Sequence, residues 1–182
     1  MKATGIVRRI DDLGRVVVPK EIRRTLRIRE GDPLEIFTDR EGEIILKKYS
    51  PIGELSQFAK QYADSLAQTT GHVVCIADRD SLIAVAGGAK KDLILKPISR
   101  ELEDVINERE SIIAAKGSKE YKKITDSDDP GYTFQAISPI ISAGDAVGAV
   151  ILLSKESKSN FGEVETKLAA TASGFLGRQL EQ

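Results

Sequence analysis

The sequence predicts two domains, a small and mainly β domain over residues 1–50 and a larger α+β domain with an antiparallel sheet over residues 53–182. The chain has 182 residues, whereas a single core usually holds about 100 to 150. Ser50 and Pro51 interrupt the apolar pattern, because proline restricts the residue before it and favours the first turn of a helix. Two cores with a short junction at these residues therefore explain the chain better than one.

Charge is distributed unevenly between the two predicted domains. Residues 2–29 carry nine basic side chains against three acidic ones, whereas residues 51–182 carry 15 basic and 19 acidic ones. The net charge of the whole chain, -1 at pH 7, hides this separation. A basic head on a mildly acidic body is typical of a polyanion-binding module attached to a domain with another task.

Two short apolar runs around a glycine begin the small domain. Residues 6–10 predict a first strand and residues 16–18 a second one, because both are rich in valine and isoleucine. Gly14 lies between them and supplies the backbone freedom that the bend needs.

A helix and a hairpin complete the small domain. Pro19 favours a helix over residues 20–26, and residues 34–38 and 44–47 predict two strands joined by a polar turn. At about 100° per residue, the bases of the helix share one face, which comprises Lys20, Arg23, Arg24 and Arg27.

A domain of this size is too small to be stable alone. About 50 residues with one short helix bury little apolar surface, and such domains usually need a disulfide, a metal or a second chain. Cys75 is the only cysteine, and it lies outside the domain. We therefore expect a dimer, in which intertwined strands gain pairing from a second copy.

The small domain resembles the AbrB family of swapped-hairpin transition-state regulators. The resemblance rests on TGIVRRIDDLGRVVVPKEIRRTL (residues 4–26), LEI (34–36) and IILKKY (44–49). It implies a dimer of interleaved hairpins that binds double-stranded DNA through a face built from arginines. The residues at the matching positions are Arg8, Arg15, Arg23 and Arg24, with Arg9 and Lys20 as further candidates.

Two other interpretations of the small domain stay open on spacing alone. Bases on a helix are often a solvated face, although an arginine can also contact a phosphate or a guanine edge with two nitrogens. Antitoxins that neutralise a toxin partner share the swapped hairpin, which makes an antitoxin the alternative function. Antitoxins typically carry a disordered acidic tail, whereas residues 53–182 are patterned as a folded domain.

The larger domain alternates helical and strand patterns. Helices are predicted over residues 53–68, 97–109 and 161–181, and strands over residues 72–77, 82–86, 132–141 and 146–153. Residues 111–115 fit a strand or a helix extension equally well. Residues 116–131 are polar and predict a strand with long mobile ends.

The larger domain resembles GAF domains, which are small-molecule sensing modules. Pro139 and Ile140, the turn at Gly144 and the run 147–150 are similar to the closing hairpin of that family. In this order the two domains resemble a family of sporulation regulators in spore-forming Firmicutes. That resemblance implies an activator and repressor of forespore genes, assembled as a tetramer of swapped dimers joined through GAF helices.

The terminal helices of the larger domain offer residues for this assembly. Small residues on the last helix predict close approach of another helix, and the two helices of two copies could form a four-helix bundle. The candidate oligomerisation residues are Leu55, Phe58, Tyr62, Leu66, Leu168 and Phe175.

The sequence gives no support for an enzyme or a metal site. His72 is the only histidine and Cys75 the only cysteine, so that no metal set or nucleophile–base pair can be built from them. A GAF-type reductase or cyclic-nucleotide hydrolase is therefore set aside, and no cofactor is expected. The sequence has no apolar run long enough to span a membrane and no signal-peptide core, which predicts a cytoplasmic, nucleoid-associated protein of the forespore without a membrane partner.

An unidentified small-molecule ligand remains compatible with the larger domain. Its pocket is expected between the sheet and the helix that begins near Pro97, under residues 116–131. The length and polarity of this segment are the basis of that expectation.

Overall fold

The computed structural model describes residues 5–88, 90–127, 131–156 and 161–181. The chain divides into two compact units, Met1–Tyr49 and Ser50–Gln182. Each unit has its own sheet, with two strands in unit 1 and five in unit 2. Across the described ranges, every helix is too short or too polar to cross a membrane.

Unit 1 contains one short helix and one hairpin. Helix α1 spans Lys20–Thr25, and strands β1 (Leu34–Thr38) and β2 (Ile44–Lys48) pair in antiparallel register. Pro19 precedes the helix with a φ of -58°, the value that its ring imposes. The helix and the hairpin confirm the predictions for these segments.

The helix ends earlier than predicted, which removes one base from its basic face. Arg27 has a φ of 52°, outside the helical region, and the amide of Ile28 donates to the carbonyl of Arg23 at 2.7 Å. This arrangement satisfies a carbonyl of the last turn and stops the helix. The expectation that Arg27 shares the arc of Lys20 and Arg24 is therefore wrong.

The two strands predicted before the helix do not form in the single chain. No ladder includes residues 6–10 or 16–18, although the bend between them is present, with Gly14 at a φ of 75°. Val7 and Val17 are 89% and 70% exposed. A strand pair without an apolar face against a core is marginal in water, so these strands lack the surface that would stabilise them.

Unit 1 has almost no interior of its own. Among the described residues 5–49, Pro19 is the only one that is buried. The large apolar side chains that remain exposed belong to both the extended segment and the hairpin, and they include Ile6, Val7, Ile10, Leu13, Val16, Val17, Leu26, Ile36, Phe37, Ile44 and Leu46. Exposed apolar surface on this scale indicates that the unit needs a partner to cover it.

Unit 2 is built on an antiparallel sheet in the order β4-β3-β7-β6-β5. Its strands are β3 (Val73–Asp78), β4 (Leu82–Ala86), β5 (Ile112–Ala115), β6 (Phe134–Ser142) and β7 (Asp145–Ser154). The central strands β3 and β7 are buried on both faces. Residues 111–115, which fitted two predictions, therefore contribute a strand at the edge of the sheet.

Helices cover both faces of this sheet. Helix α3 (Ser56–Thr70), preceded by the single turn α2 (Pro51–Glu54), packs with α6 (Glu163–Gln179) on one face. Helix α5 (Arg100–Glu108) and the short helix α4 (Lys90–Leu93) lie on the other face. The sequence predicted the three longer helices but not α4.

The strand predicted within residues 116–131 is wrong for the part of it that the structure describes. Residues 116–127 and 131 form turns and an isolated bridge between Thr125 and Ile98, without a strand. The side-chain nitrogen of Gln135 donates to the carbonyl of Lys122 at 2.9 Å, and its side-chain oxygen accepts from the amide of Lys122 at 2.6 Å. A side chain thus satisfies the backbone that a neighbouring strand would otherwise have paired. The expected mobile ends include residues 128–130, which lie outside the described residues.

The small residues of α6 face the sheet of their own chain. Ala169, Ala172, Ser173 and Gly177 are all buried in this contact. The helix comes so close that a Cβ atom on Gly177 would lie 2.0 Å from the carbonyl oxygen of Ile141. The expectation that these residues admit a helix of another copy is therefore wrong, since they admit strand β6.

Cys75 is an inert core residue, as predicted. It is fully buried under α5, and burial raises the pKa of its thiol to about 12. A thiol with this pKa carries no appreciable thiolate at neutral pH.

We expect Gly177→Ala to destabilise unit 2 by about 1 to 3 kcal/mol, the usual cost of overpacking a close contact. The added methyl group would meet a backbone carbonyl, which cannot rotate away. Urea unfolding followed by circular dichroism measures this change.

Gly174→Ala is the matched control, because it lies one turn earlier on the same helix. A Cβ atom there would meet only the tip of Arg178, at 4.0 Å. This substitution should be neutral or stabilise the helix by up to about 1 kcal/mol, since alanine is the better helix former. Equal stability of the two variants would contradict the close packing of α6.

Candidate nucleic-acid interface and ligand cavity

The turn that carries Arg15 is held by the carboxylate of Asp11. One oxygen of Asp11 accepts from the amides of Leu13 and Arg15 at 3.0 and 2.8 Å, and the other accepts from Nε of Arg15 at 2.9 Å. The backbone closes the same turn, because the amide of Gly14 donates to the carbonyl of Asp11 at 3.0 Å. Arg15 is thus oriented before any ligand arrives, while its side chain stays 68% exposed.

These donors lower the pKa of Asp11. The backbone amide of Arg15 has the largest effect; the small burial cost is outweighed by this amide together with the Arg15 guanidinium and the Leu13 amide. Each of these groups favours the charged carboxylate. The turn therefore depends on an ionised Asp11.

The structure places the six predicted DNA-binding residues on three neighbouring parts of unit 1. Arg8 and Arg9 lie on the segment before the turn, Arg15 on the turn, and the other three on α1. All six are exposed, namely Arg8, Arg9, Arg15, Lys20, Arg23 and Arg24. Within the described residues, Arg15 is the only one of the six that forms an ion pair.

A second set of polar contacts fixes the chain after α1. Nζ of Lys48 donates to the carbonyl of Arg27 at 2.8 Å and lies 3.2 Å from the carboxylate of Asp32. Burial would raise the pKa of Asp32, but the amide of Arg29 and the ammonium of Lys48 outweigh it and lower the pKa. These contacts join the end of α1 to β2 and so position the helix that carries three of the bases.

The predicted oligomerisation residues lie beside the sheet contact of α3 and α6 rather than within it. The alanines of α3 face the sheet, whereas its larger apolar residues are half-buried. Phe175 of α6 lies 5.7 Å from the ring of Phe58 and 5.5 Å from that of Tyr62. Leu55, Leu66 and Leu168 are half-buried as well. The rings of Phe58, Tyr62 and Phe175 thus form a partly exposed apolar seam between α3 and α6. Leu66 and Leu168 pack against the same core, and Leu55 is the residue before α3.

A cavity of about 450 Å³ opens where the sequence places a pocket. It lies beside α5 under the segment that begins at Lys116, and its wall includes Glu101 of that helix. Apolar and basic side chains both contribute to the wall, which includes Leu93, Lys116, Tyr121, Lys122, Lys123, Ile124, Thr125, Tyr132 and Leu153. Its size and mixed lining suit a small organic molecule.

The sequence did not predict the role of Asp11 in the turn or the contact between Tyr121 and Tyr132 in the cavity wall. Asp11 could have been found, because an aspartate three residues before a glycine is a common turn signal. Tyr132 is 2% exposed in the cavity wall, and its carbonyl accepts from the hydroxyl of Tyr121 at 3.2 Å. Only the fold brings these two tyrosines together.

Comparisons with known proteins agree with both units. Residues 54–181 match the family described as "Stage V sporulation protein T C-terminal, transcription factor", and residues 7–54 match "Antidote-toxin recognition MazE, bacterial antitoxin". The chain is 58% identical to stage V sporulation protein T of Bacillus subtilis (strain 168) over 183 residues, which covers 100% of both proteins. It is also 67% identical over 51 residues to the transition state regulatory protein AbrB of the same organism, which covers 28% of this chain and 52% of AbrB.

Unit 2 is also similar to solved GAF domains. The GAF domain of an Acinetobacter phosphoenolpyruvate-protein phosphotransferase superposes with a TM-score of 0.58 at 15% identity, covering 69% of this chain and 81% of that domain. The fold and the matches define a two-domain transcription factor, with an AbrB-like amino-terminal domain and a GAF-like carboxyl-terminal domain. The chain belongs to the stage V sporulation protein T family.

We expect the Arg15 turn to loosen in acid. The pKa of Asp11 is lower in the folded chain than its usual value of about 3.9, so that its contribution is complete above that value and is lost as the pH falls through the folded pKa. NMR titration of the Asp11 carboxyl, with amide exchange at Leu13 and Arg15, measures both effects.

Arg15→Ala separates the effect of the guanidinium on the Asp11 carboxylate from the effect of the backbone amides. The pKa of Asp11 should then rise part of the way towards its usual value, because the backbone amides of Leu13 and Arg15 still donate. An unchanged pKa in this variant would show that the guanidinium does not contact the carboxylate in solution.

Proposed function

We propose that the chain binds double-stranded DNA as a dimer through unit 1 and regulates transcription of forespore genes during sporulation, as activator and repressor. One observation carries the proposal: unit 1 exposes all six candidate bases together with most of its apolar residues. The apolar residues need a second copy, and the bases need an anion. The proposed contacts are Arg8, Arg9, Arg15, Lys20, Arg23 and Arg24.

The chemistry of these bases fits duplex DNA. Arginine presents a planar fork that matches a phosphate or the O6 and N7 atoms of guanine. Two copies double the number of basic groups, which gives an affinity that falls steeply with salt. AbrB, which shares 67% identity over 51 residues with this chain, is named a transition state regulatory protein.

We assign residues 1–50 to DNA binding and residues 53–182 to sensing and oligomerisation. The boundary between the compact units at Tyr49 and Ser50 supports this division, and so does the family match over residues 54–181. The protein would then act in the cytoplasm of the forespore, on the nucleoid.

We propose that swapped dimers assemble into a tetramer through unit 2. The support is the partly exposed apolar seam, since half-buried aromatic rings on adjoining helices are typical of helical interfaces. With the small residues of α6 occupied by the sheet, the larger residues carry the contact, and these are Leu55, Phe58, Tyr62, Leu66, Leu168 and Phe175.

An antitoxin activity is the alternative, and one comparison speaks for it. Residues 7–54 match a family of bacterial antitoxins, which shows that the module itself occurs in both classes. The carboxyl-terminal part matches a family described as a transcription factor, and the full-length relative is named a sporulation protein. The regulator is therefore the better supported function.

We propose that unit 2 senses a ligand and does not catalyse a reaction. The cavity of about 450 Å³ supports binding of a small molecule. The thiol of Cys75 is buried, and the ring of His72 packs on Phe161 at 4.7 Å and lies 3.4 Å from the carboxylate of Glu165. Neither side chain lines the cavity. We assign no resident cofactor, and the ligand is chemically unidentified.

Arg15→Ala and Arg23→Ala should each weaken DNA binding of the full-length protein. If each arginine contacts a phosphate, one substitution removes two contacts from a dimer, and the slope of log K against log salt falls by about 1.8. Fluorescence anisotropy of a labelled duplex over a salt series measures affinity and slope together.

Arg100→Ala is the control, because Arg100 is exposed at the start of α5 in unit 2. It removes the same charge and should leave the slope unchanged. The proposed DNA contacts would be wrong if Arg15→Ala and Arg23→Ala behaved like this control.

Leu66→Glu should convert the proposed tetramer into dimers, because it places a charge at a half-buried position of the proposed interface. Native mass spectrometry of the full-length protein purified from cells reports the assembly and any molecule retained in the cavity. Gln68→Glu introduces the same charge on an exposed position of α3 and should leave the tetramer intact. Dissociation in both variants, or in neither, would count against the seam as the interface.

A further inference from the structure

The cavity wall is tied to the start of α5 by a group of hydrogen bonds. The amide of Ser99 donates to the carbonyl of Ile124 at 2.9 Å, and its hydroxyl donates to the carbonyl of Lys123. Ile98 forms a bridge with Thr125 of the same wall. Ser99 is 2% exposed and also caps α5, since its hydroxyl accepts from the amide of Leu102 at 3.1 Å. Wall residues 123–125 are therefore joined directly to residues 98–99.

The start of α5 is tied in turn to the turn between β3 and β4. The amide of Ile98 donates to the carbonyl of Asp80 at 3.0 Å, and Pro97 forms a bridge with Ser81. Helix α5 makes a further contact at its other end, where Asn107 accepts from a guanidinium nitrogen of Arg79 at 2.9 Å. The turn at residues 79–81 thus contacts both ends of α5.

The carboxylate of Asp78 joins this turn to the first residue of unit 2. One oxygen accepts from the amides of Asp80 and Ser81, both at 2.7 Å. The other oxygen accepts from the hydroxyl of Ser50 at 3.0 Å. A carboxylate that accepts three hydrogen bonds holds them more strongly than a neutral acceptor does.

Ser50 has a second role at the junction. Its hydroxyl accepts from the amide of Gly53 at 3.1 Å and so caps the single turn α2. A Cβ atom on Gly53 would lie 3.0 Å from this hydroxyl oxygen, which shows how close the contact is. Ser50 follows Tyr49, the last residue of unit 1, so that these bonds hold the first residue of unit 2 within its own unit.

We propose that Asp78 is the positioning residue that couples the cavity wall to the Ser50 junction, so that occupation of the cavity alters the junction with the DNA-binding unit. The route runs from residues 123–125 through residues 98–99 to the turn 79–81, and from there through Asp78 to Ser50. This inference rests on the proposed function, in which a ligand in unit 2 modulates unit 1. If Asp78 only stabilised the turn, its bonds to the amides of Asp80 and Ser81 would be enough, and the bond to Ser50 would have no role.

The route can be tested without a known ligand by altering the cavity itself. Leu93 lines the cavity and is 3% exposed, and Leu93→Phe reduces the free volume by adding a ring. Hydrogen exchange of the full-length protein, followed by mass spectrometry of peptides that cover residues 121–127 and 50–54, reports the wall and the junction separately. In the wild-type background we expect Leu93→Phe to change exchange of both peptides by about two- to thirtyfold, the usual range of coupling through a shared network.

In the Asp78→Asn background the two peptides should respond differently. The wall peptide should still respond to Leu93→Phe, whereas the response of residues 50–54 should disappear, because the charge that holds Ser50 is gone. Asp145→Asn is the matched control, since Asp145 is exposed at the turn between β6 and β7 and its loss should leave both responses intact. If Asp78→Asn fails to fold by circular dichroism, Ser50→Ala removes the same bond from the other side.

Three results would overturn the coupling. The junction could respond equally in the wild-type and Asp78→Asn backgrounds, or stay silent in the wild type while the wall responds. Silence of both peptides would also contradict it, since a wall that does not register a larger side chain cannot pass on a ligand. The DNA-binding proposal is tested separately with Arg15→Ala and Arg23→Ala, so that each idea can fail alone.

Discussion

The main constraint on the structure is that the described residues of unit 1 bury almost none of their apolar side chains. Pro19 is the only buried residue among its described positions, and side chains such as Val7 and Val17 are in contact with water. Apolar side chains that a chain cannot bury itself are a strong driving force for association. The segments around the Gly14 turn therefore have the composition of strands without the neighbours that strands need. Arg8, Arg9 and Arg15 lie on these segments, so that proposed DNA contacts and exposed apolar side chains occupy the same stretch of chain.

Unit 2 shows the opposite condition, because it covers both faces of its sheet. Alanines of α3 and small residues of α6, including Gly177, bring the two helices close to the strands. Close approach of the backbones leaves the larger side chains to project beside the contact, and Phe58 and Phe175 meet there. Small residues at the helix–sheet contact thus close the core and also leave the larger side chains in the apolar seam. On the other face, α5 covers a second core around Cys75 and Ile151, and the cavity opens next to that core under the segment over Tyr132.

The sequence was sufficient wherever short-range patterns determine the structure. Apolar periodicity predicted four of the five sheet strands and the long helices of unit 2 and left β5 undecided, and the basic motif predicted exposed bases on α1. Prediction from the sequence failed where a segment pairs with residues far away in the chain or in another chain. Residues 16–18 have strand propensity but no ladder in the single chain, and the backbone of Lys122 is paired by the side chain of Gln135, which no periodicity reveals. The contact of Asp78 with Ser50 spans 28 positions, so that only the fold could show it.

The missing interior of unit 1 has a consequence for how the protein responds to its own abundance. When a core is completed by a second chain, the folded fraction obeys mass action and depends on the concentration of chains. Below the dissociation constant the amino-terminal unit is incomplete, and above it both the core and the paired basic face appear together. Below that concentration the amount of dimer rises with about the square of the amount of chain, so that the response is steeper than proportional. The exposed valines of this unit thus make its folded fraction depend on the concentration of the protein.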